Sequence, residues 1–241
     1  MSTPRRFFVE YNLENTPEIF LEGEEFTHAK TVLRVEEGTE IVLLDGSGRE
    51  YSAIVSKIEK HRLSAHITGS ELSGKEPKAR ICLLCGALKG DKTELVVQKA
   101  TELGVSEIYI FFSEYCSAYM NGNKLERLKK VAREAAKQCL RAKAPRVEYF
   151  DSLNSALTAA ADFDNKLFAC EFLSGGSRMP NELKGSAALV VGSEGGFSEN
   201  EYELAESLGF KGITLGKRIL RAETAAIATC ALAAYALGEL E

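Results

Sequence analysis

The chain has 241 residues, 45% of them apolar, and a formal net charge of -5. That length holds one large domain or two ordinary ones around a substantial core, and the acidic balance excludes a uniformly basic nucleic-acid binder while leaving room for a local basic face. No uncharged apolar run reaches the roughly 18 residues of a membrane span, the six cysteines fall mostly in apolar runs and no signal peptide precedes them, so a reduced cytoplasmic protein with no membrane partner is expected.

Phe7-Phe8-Val9 reads as the start of a strand. Glu24 to Arg34 has helical spacing through Phe26, Ala29, Val32 and Leu33, and Ile41 to Leu44 is a strand running into the turn Asp45-Gly46-Ser47-Gly48. Tyr51 to Ile58 and Leu63 to Ile67 follow as strands, so residues 1–70 read as a small β-barrel. The polar stretch from Gly69 to Lys78, with Ser70, Ser73, Gly74 and Pro77, supplies the linker, placed at 71–77. From residue 78 strand and helix alternate, which predicts an α/β domain with a mostly parallel sheet covered on both faces. Its strands are expected at Ala79 to Leu88, Ile108 to Phe112, Lys166 to Cys170, Ala187 to Val191 and Gly212 to Leu215. Between the first two, Asp91 is expected to cap a helix, with Glu94 three residues on, that stops at Gly104. Leu125, Leu128, Val131, Ala132, Ala135 and Cys139 form one helical stripe ending before Pro145. Cys82 and Cys85 have CxxC spacing, but on a strand they point to opposite faces, so packed thiols and no metal site are expected. The alanine-rich tail from Ala222 to Leu240 predicts a helix buried on more than one side, either within a monomer or at a subunit interface.

Two loops carry the chemistry. Val191-Gly192-Ser193-Glu194-Gly195-Gly196-Phe197 follows an apolar strand and opens a helix, and Leu215-Gly216-Lys217-Arg218-Ile219-Leu220-Arg221-Ala222-Glu223-Thr224-Ala225 does the same shortly after. A strand, a glycine turn and a helix N-terminus suit a nucleotide-like ligand, because glycine lets backbone amides come close. The spacings GxxxxGK[ST] and GxGxxG are both absent, and no phosphate-binding lysine or metal-ligating carboxylate follows the first loop, which disfavours a nucleotide hydrolase. Glu194 would repel a pyrophosphate, so the loop suits a ligand bearing hydroxyls, an amine or a positive centre; a plain structural turn accounts for the glycines equally well. In the second loop Ile219-Leu220, set among Lys217, Arg218 and Arg221, suggests a slot for an adenine or a base, with Glu223-Thr224 starting a helix. A helix-capping loop with solvated charges is the other reading.

These two loops resemble the signature of the RsmE family, S-adenosylmethionine-dependent methyltransferases of the SPOUT superfamily that modify N3 of a uridine in 16S ribosomal RNA. Arg5-Arg6-Phe7-Phe8, His28-Ala29-Lys30-Thr31-Val32-Leu33-Arg34, Lys89-Gly90-Asp91-Lys92, Gln98 to Val105 and Glu134 to Cys139 agree with it, so the resemblance spans nearly the whole chain. Ser193 stands where the family usually has proline, which loosens the turn and bears on loop rigidity. The resemblance implies an N-terminal PUA-like, RNA-binding β-barrel over 1–70 and a C-terminal SPOUT α/β domain with a trefoil knot over 78–241, working as a homodimer. It also implies that S-adenosyl-L-methionine is held by Val191, Gly192, Glu194, Gly195 and Gly196 and by Leu215, Gly216, Ile219, Leu220 and Thr224, and that the partner is 16S ribosomal RNA within the small subunit.

Methylation at N3 requires the imide proton to leave while the nitrogen attacks the methyl group in line. Neutral uracil is a poor nucleophile, so a base or cations favouring the uridinate are needed. Arg221 is expected to stabilise charge on the uracil oxygens, while Glu223 orients Arg221, accepts the proton or only complements the helix N-terminus. N3 lies on the Watson–Crick edge, so the target must be unpaired or flipped. Arg5, Arg6 and Arg34, Lys89 and Lys92, and Gln138 and Arg141 are the RNA-contact candidates, each also explicable as a solvated surface group. Two competing readings keep the fold: a knotted methyltransferase acting on transfer RNA, and a non-catalytic RNA-binding protein.

Overall fold

The computed structural model describes residues 5–119, 121–170 and 177–240. The chain divides into two compact units, Met1–Glu76 with Ala136–Ala144, and Pro77–Ala135 with Pro145–Glu241.

In the first unit β1 (Arg5–Phe8), β2 (Glu18–Glu22), β3 (Glu40–Leu44), β4 (Arg49–Ile58) and β5 (Arg62–Leu72) form one sheet in the order β1-β3-β4-β5-β2. β1 runs parallel to β3 and the other pairs are antiparallel. Register shifts at Ser52/Ala53 and Val55/Lys57 add local twist, and the sheet curls over a core that includes Phe7, Ile19, Leu21, Ile41, Leu43 and Leu63. β2 has no counterpart in the sequence reading: its Glu-Ile-Phe-Leu-Glu alternation buries only Ile19 and Leu21. The helix expected over Glu24 to Arg34 is one α-turn, α1 (Gly23–Thr27), followed by π-helical winding over His28–Val32, and Arg34 ends the segment at a left-handed φ of 49°. β5 extends into the stretch read as a linker, because Gly69 to Leu72 continue the ladder with β4.

The second unit holds β6 (Ile81–Gly86), α2 (Lys92–Glu102), β7 (Glu107–Phe111), α3 (Gly122–Gln138, to Ala135), β8 (Arg146–Phe150), α4 (Leu153–Ala159), β9 (Asn165–Ala169), β10 (Ser177–Arg178), β11 (Ala187–Val191), α5 (Glu199–Ser207), β12 (Lys211–Thr214) and α6 (Ala222–Ala236). The sheet order is β10-β12-β9-β11-β6-β7-β8, and every pair is parallel. Strands β6, β7 and β11 are buried along their length, as expected of apolar runs on a doubly covered sheet, and β7 buries Glu107 at its start as well. On one face Ile81, Leu83 and Cys85 pack with Val96, Leu128, Ala226 and Cys230. On the other, Cys82 and Leu84 pack with Leu153, Leu157 and Ala205. The two CxxC thiols therefore look away from each other; burial drives the Cys82 pKa well above the ordinary thiol value and pushes Cys85 up to about 12.

Asp91 occupies the N-cap of α2 without offering its side chain. The turn is closed instead by the Thr93 hydroxyl, which accepts from the Leu88 amide at 3.1 Å and donates to the Leu88 carbonyl at 3.2 Å. α6 buries one broad face through Ala222, Ala226, Thr229, Cys230, Ala233 and Ala234, but Leu232 and Tyr235 are 43% and 68% exposed, so it is not enclosed all round within this chain.

Candidate active site

A cavity of about 360 Å³ opens at the C-terminal ends of β9, β11 and β12 and is closed by the start of α6. This is where an open parallel sheet collects ligands, because the loops after the strands splay apart there. After Val191 the chain turns sharply: the Gly196 amide donates to the Ser193 carbonyl at 3.0 Å, and Gly196 takes a left-handed φ of 69°. The turn nests on Gly86 at the end of β6. A Cβ on Gly86 would come 2.9 Å from the Gly192 carbonyl carbon and nearer still to the Ser193 amide nitrogen, so only glycine allows this approach. A Cβ on Gly195 would meet the Tyr115 Cβ and carbonyl oxygen at 2.6 Å. Ser193 is itself buried, its Oγ 3.4 Å from the Ser113 Oγ, and Glu201 both completes the capping box of α5 and accepts from the Glu114 amide at 2.8 Å. The turn is thus held by neighbours on both sides, and serine at 193 does not leave it loose.

Glu194 Oε1 accepts from the Lys89 amide at 3.1 Å and from Lys92 Nζ at 3.2 Å. Burial is the largest influence on this carboxyl and opposes its ionisation, but the backbone amides and Lys92 outweigh it and hold the group below its ordinary range. Lys92 Nζ also lies 3.5 Å from Glu223 Oε2, an oxygen that is buried and accepts no hydrogen bond. In the second loop the Gly216 amide donates to Thr214 Oγ1 at 3.3 Å, Gly216 sits at φ 112°, and Ile219 is 85% exposed. Among the described residues Lys217, Arg218 and Arg221 form no ion pair.

Of the residues expected to hold a cofactor, Val191, Gly192, Glu194, Gly196, Leu215, Gly216, Ile219 and Leu220 line the cavity, together with Arg221. Gly195 turns toward Tyr115 instead, and Thr224 is exposed on the first turn of α6, outside the lining. The Glu223 carboxylate pairs with Lys92 rather than with Arg221, which stands in extended conformation at the N-cap of α6. Lys92, Ala169, Cys170, Phe197 and Thr214 are lining residues the sequence did not disclose. The available signal was position, at or just past the C-terminal ends of strands, or, for Lys92, at the start of the helix after β6.

The RNA-contact candidates separate by burial. Arg34, Lys89 and Gln138 are exposed and Arg5 is half-buried. Arg6 is buried, with NH1 donating to Glu50 Oε2 at 2.8 Å, and Arg141 is buried against Glu76 at 3.3 Å, so both guanidinium groups are committed inside the first unit. Lys92 belongs to the cavity wall.

Comparison with known proteins places this geometry in context. Residues 75–234 match the model of an RNA methyltransferase domain, and residues 21–68 match an RNA methyltransferase PUA domain. The chain is 33% identical to a ribosomal RNA small subunit methyltransferase E of Mesomycoplasma hyopneumoniae, covering 92% of this chain and 95% of that one. It is 32% identical to the protein of that description in Bacillus subtilis, with 96% of each covered. A crystal structure of a ribosomal RNA small subunit methyltransferase E from Neisseria gonorrhoeae bound to S-adenosyl methionine is 30% identical, with a TM-score of 0.86 over 96% of this chain and 97% of that one.

Proposed function

Because this chain belongs to the RsmE family of ribosomal RNA methyltransferases, we propose that it methylates N3 of a specific uridine in 16S ribosomal RNA of the small subunit, with S-adenosyl-L-methionine as methyl donor. The observation that carries the reading is the cavity itself, where a turn cradled on Gly86 and a second loop rich in cations meet at the strand ends. The cradle fits the cofactor: backbone can be approached closely at Gly192 and Gly196, and Glu194 keeps Oε2 for a hydroxyl or an amine. Bound S-adenosyl-L-methionine supplies an electrophilic methyl group on a positively charged sulfur.

The protein's own part is to bind and deprotonate the base. Arg221, on the cavity wall and without an ion partner among the described residues, is our candidate to stabilise charge growing on the uracil oxygens as the N3 proton leaves. The unsatisfied Oε2 of Glu223 is the acceptor we assign to that proton. Arg34, Lys89 and the half-buried Arg5 are the predicted residues left accessible to phosphates. A PUA-like RNA-binding domain over 1–70, a linker at 71–77 and a catalytic domain over 78–241 threaded as a trefoil knot complete the proposal; the interleaved order β12-β9-β11-β6 supports the threading. Exposed Leu232 and Tyr235 on α6 support a homodimer, and six free thiols support a cytoplasmic setting. Nucleotide-resolution mapping of ribosomal RNA from cells with and without the protein tests the activity, and Arg221→Ala tests the mechanism. Loss of methylation with cofactor binding retained is expected; near-normal turnover refutes the Arg221 assignment.

A further inference from the structure

We infer that Lys92 is a positioning residue of the methyl-transfer site, its ammonium bridging Glu194 on the cofactor loop and Glu223 on α6 so that the Glu223 carboxylate is fixed in place for the reacting base. The inference rests on the proton-acceptor role proposed above for Glu223. Lys92 is the first residue of α2, where a cation faces the positive end of the helix dipole and a carboxylate would be the natural choice. Two carboxylates from distant parts of the chain hold it there, Glu194 at 3.2 Å and Glu223 at 3.5 Å. The same Glu194 oxygen takes the Lys89 amide, so the turn after β6 and the loop after β11 close on one atom. Glu223 Oε2 feels the ammonium without accepting a hydrogen bond from it, which leaves its lone pairs for an incoming N–H.

Lys92 faces Glu223 from α2, Glu194 lies across Lys92 from the loop after β11, and Arg218 and Arg221 line the same cavity from the second loop. Without the ammonium, Glu194 on the cavity wall and Glu223 behind the lining would have no cation between them, and the contact that fixes the Glu223 carboxylate would be lost.

Lys92→Met removes the charge and keeps the stem, whereas Lys92→Arg restores the charge. Turnover would be measured at saturating S-adenosyl-L-methionine, with calorimetric binding of that cofactor and the salt dependence of RNA binding alongside. In Lys92→Met kcat is expected to fall about tenfold or more while the KM for RNA holds. Cofactor affinity should fall several-fold, the RNA salt slope should hold, and Lys92→Arg should return kcat toward its original value. An unchanged kcat, or a salt slope reduced by about one as for a lysine on a phosphate, overturns the inference. Glu223→Gln separates the two layers of argument. Full turnover in Glu223→Gln sinks the proton-acceptor role, while an inactive Glu223→Gln beside an unchanged kcat in Lys92→Met sinks only the bridge.

Discussion

Gly86→Ala puts the cradle to its most direct test. The added methyl would sit 2.9 Å from the Gly192 carbonyl carbon, about 0.5 Å inside the 3.4 Å of ordinary contact, and closer again to the Ser193 amide. Both obstacles are backbone, so no side-chain rotation relieves the overlap; the turn or the end of β6 must move. Overpacking of this kind costs about 1–3 kcal/mol, and at roughly 2–4 °C per kcal/mol for a chain of this size the melting temperature should fall by several degrees. Because the displaced atoms are the cavity wall itself, S-adenosyl-L-methionine should bind about tenfold or more weakly in calorimetry, beyond what the small loss of folded protein explains. Gly90, at φ 61° with nothing near its Cβ direction, serves as a control: Gly90→Ala should lower stability slightly through backbone strain and leave cofactor affinity alone. A Gly86→Ala protein that melts early but binds cofactor normally would show that Gly86 serves folding only, and the cradle argument would fall.

Arg6→Met should destabilise the first unit by about 3 kcal/mol in denaturant titration, the low end for a broken buried ion pair because Glu50 remains 19% exposed; its RNA salt slope should match wild type, and a slope lowered by about one would return Arg6 to the RNA surface. Burial opposes ionisation of Glu50, but Arg6 and Ser73 overcome it and hold its folded pKa below 4.5, so its contribution to stability is present above that pH and is lost as pH falls through the lower folded value. The stability deficit of Glu50→Gln should accordingly be full at neutral pH and shrink under acid, and a deficit constant down to pH 3 would contradict the pairing. If the exposed face of α6 carries the proposed homodimer interface, Tyr235→Glu should shift sedimentation from dimer to monomer, and an unchanged sedimentation coefficient would refute that placement.

The sheet of the second unit was legible because β6, β11 and all of β7 beyond Glu107 are apolar runs, and the stop at Gly104 because its φ of 85° suits glycine. What escaped had a weak or misleading local signal. β8 is a half-exposed edge, α4 is only seven residues long, and the π-helical winding over His28–Val32 preserves the apolar spacing of an ordinary helix. At the site, both glycine loops were visible, yet Lys92 was assigned to RNA because a lysine opening a helix looks like a solvated charge until Glu194 and Glu223 arrive from over a hundred residues away. Arg6 misled in the same way: its pairing with Glu50 is a tertiary fact that no spacing encodes.

These pairings also reconcile an acidic chain with an RNA substrate. The cations that look most basic in sequence, Arg6, Arg141 and Lys92, are neutralised by Glu50, Glu76, and Glu194 with Glu223. By contrast, among the described residues Arg218 and Arg221, on the cavity lining, and Lys217, next to them in the chain, form no ion pair. A net charge of -5 weakens indiscriminate attraction to the phosphate backbone, which alone would hold the enzyme on any RNA. Concentrating the free positive charge beside the cavity places the attraction where a flipped base must enter, and Arg221 belongs at once to that rim and to the lining. With the role proposed for Arg221, electrostatic capture of the strand and stabilisation of the uridinate would draw on adjoining residues of one loop, so RNA affinity and turnover should both be sensitive to changes there.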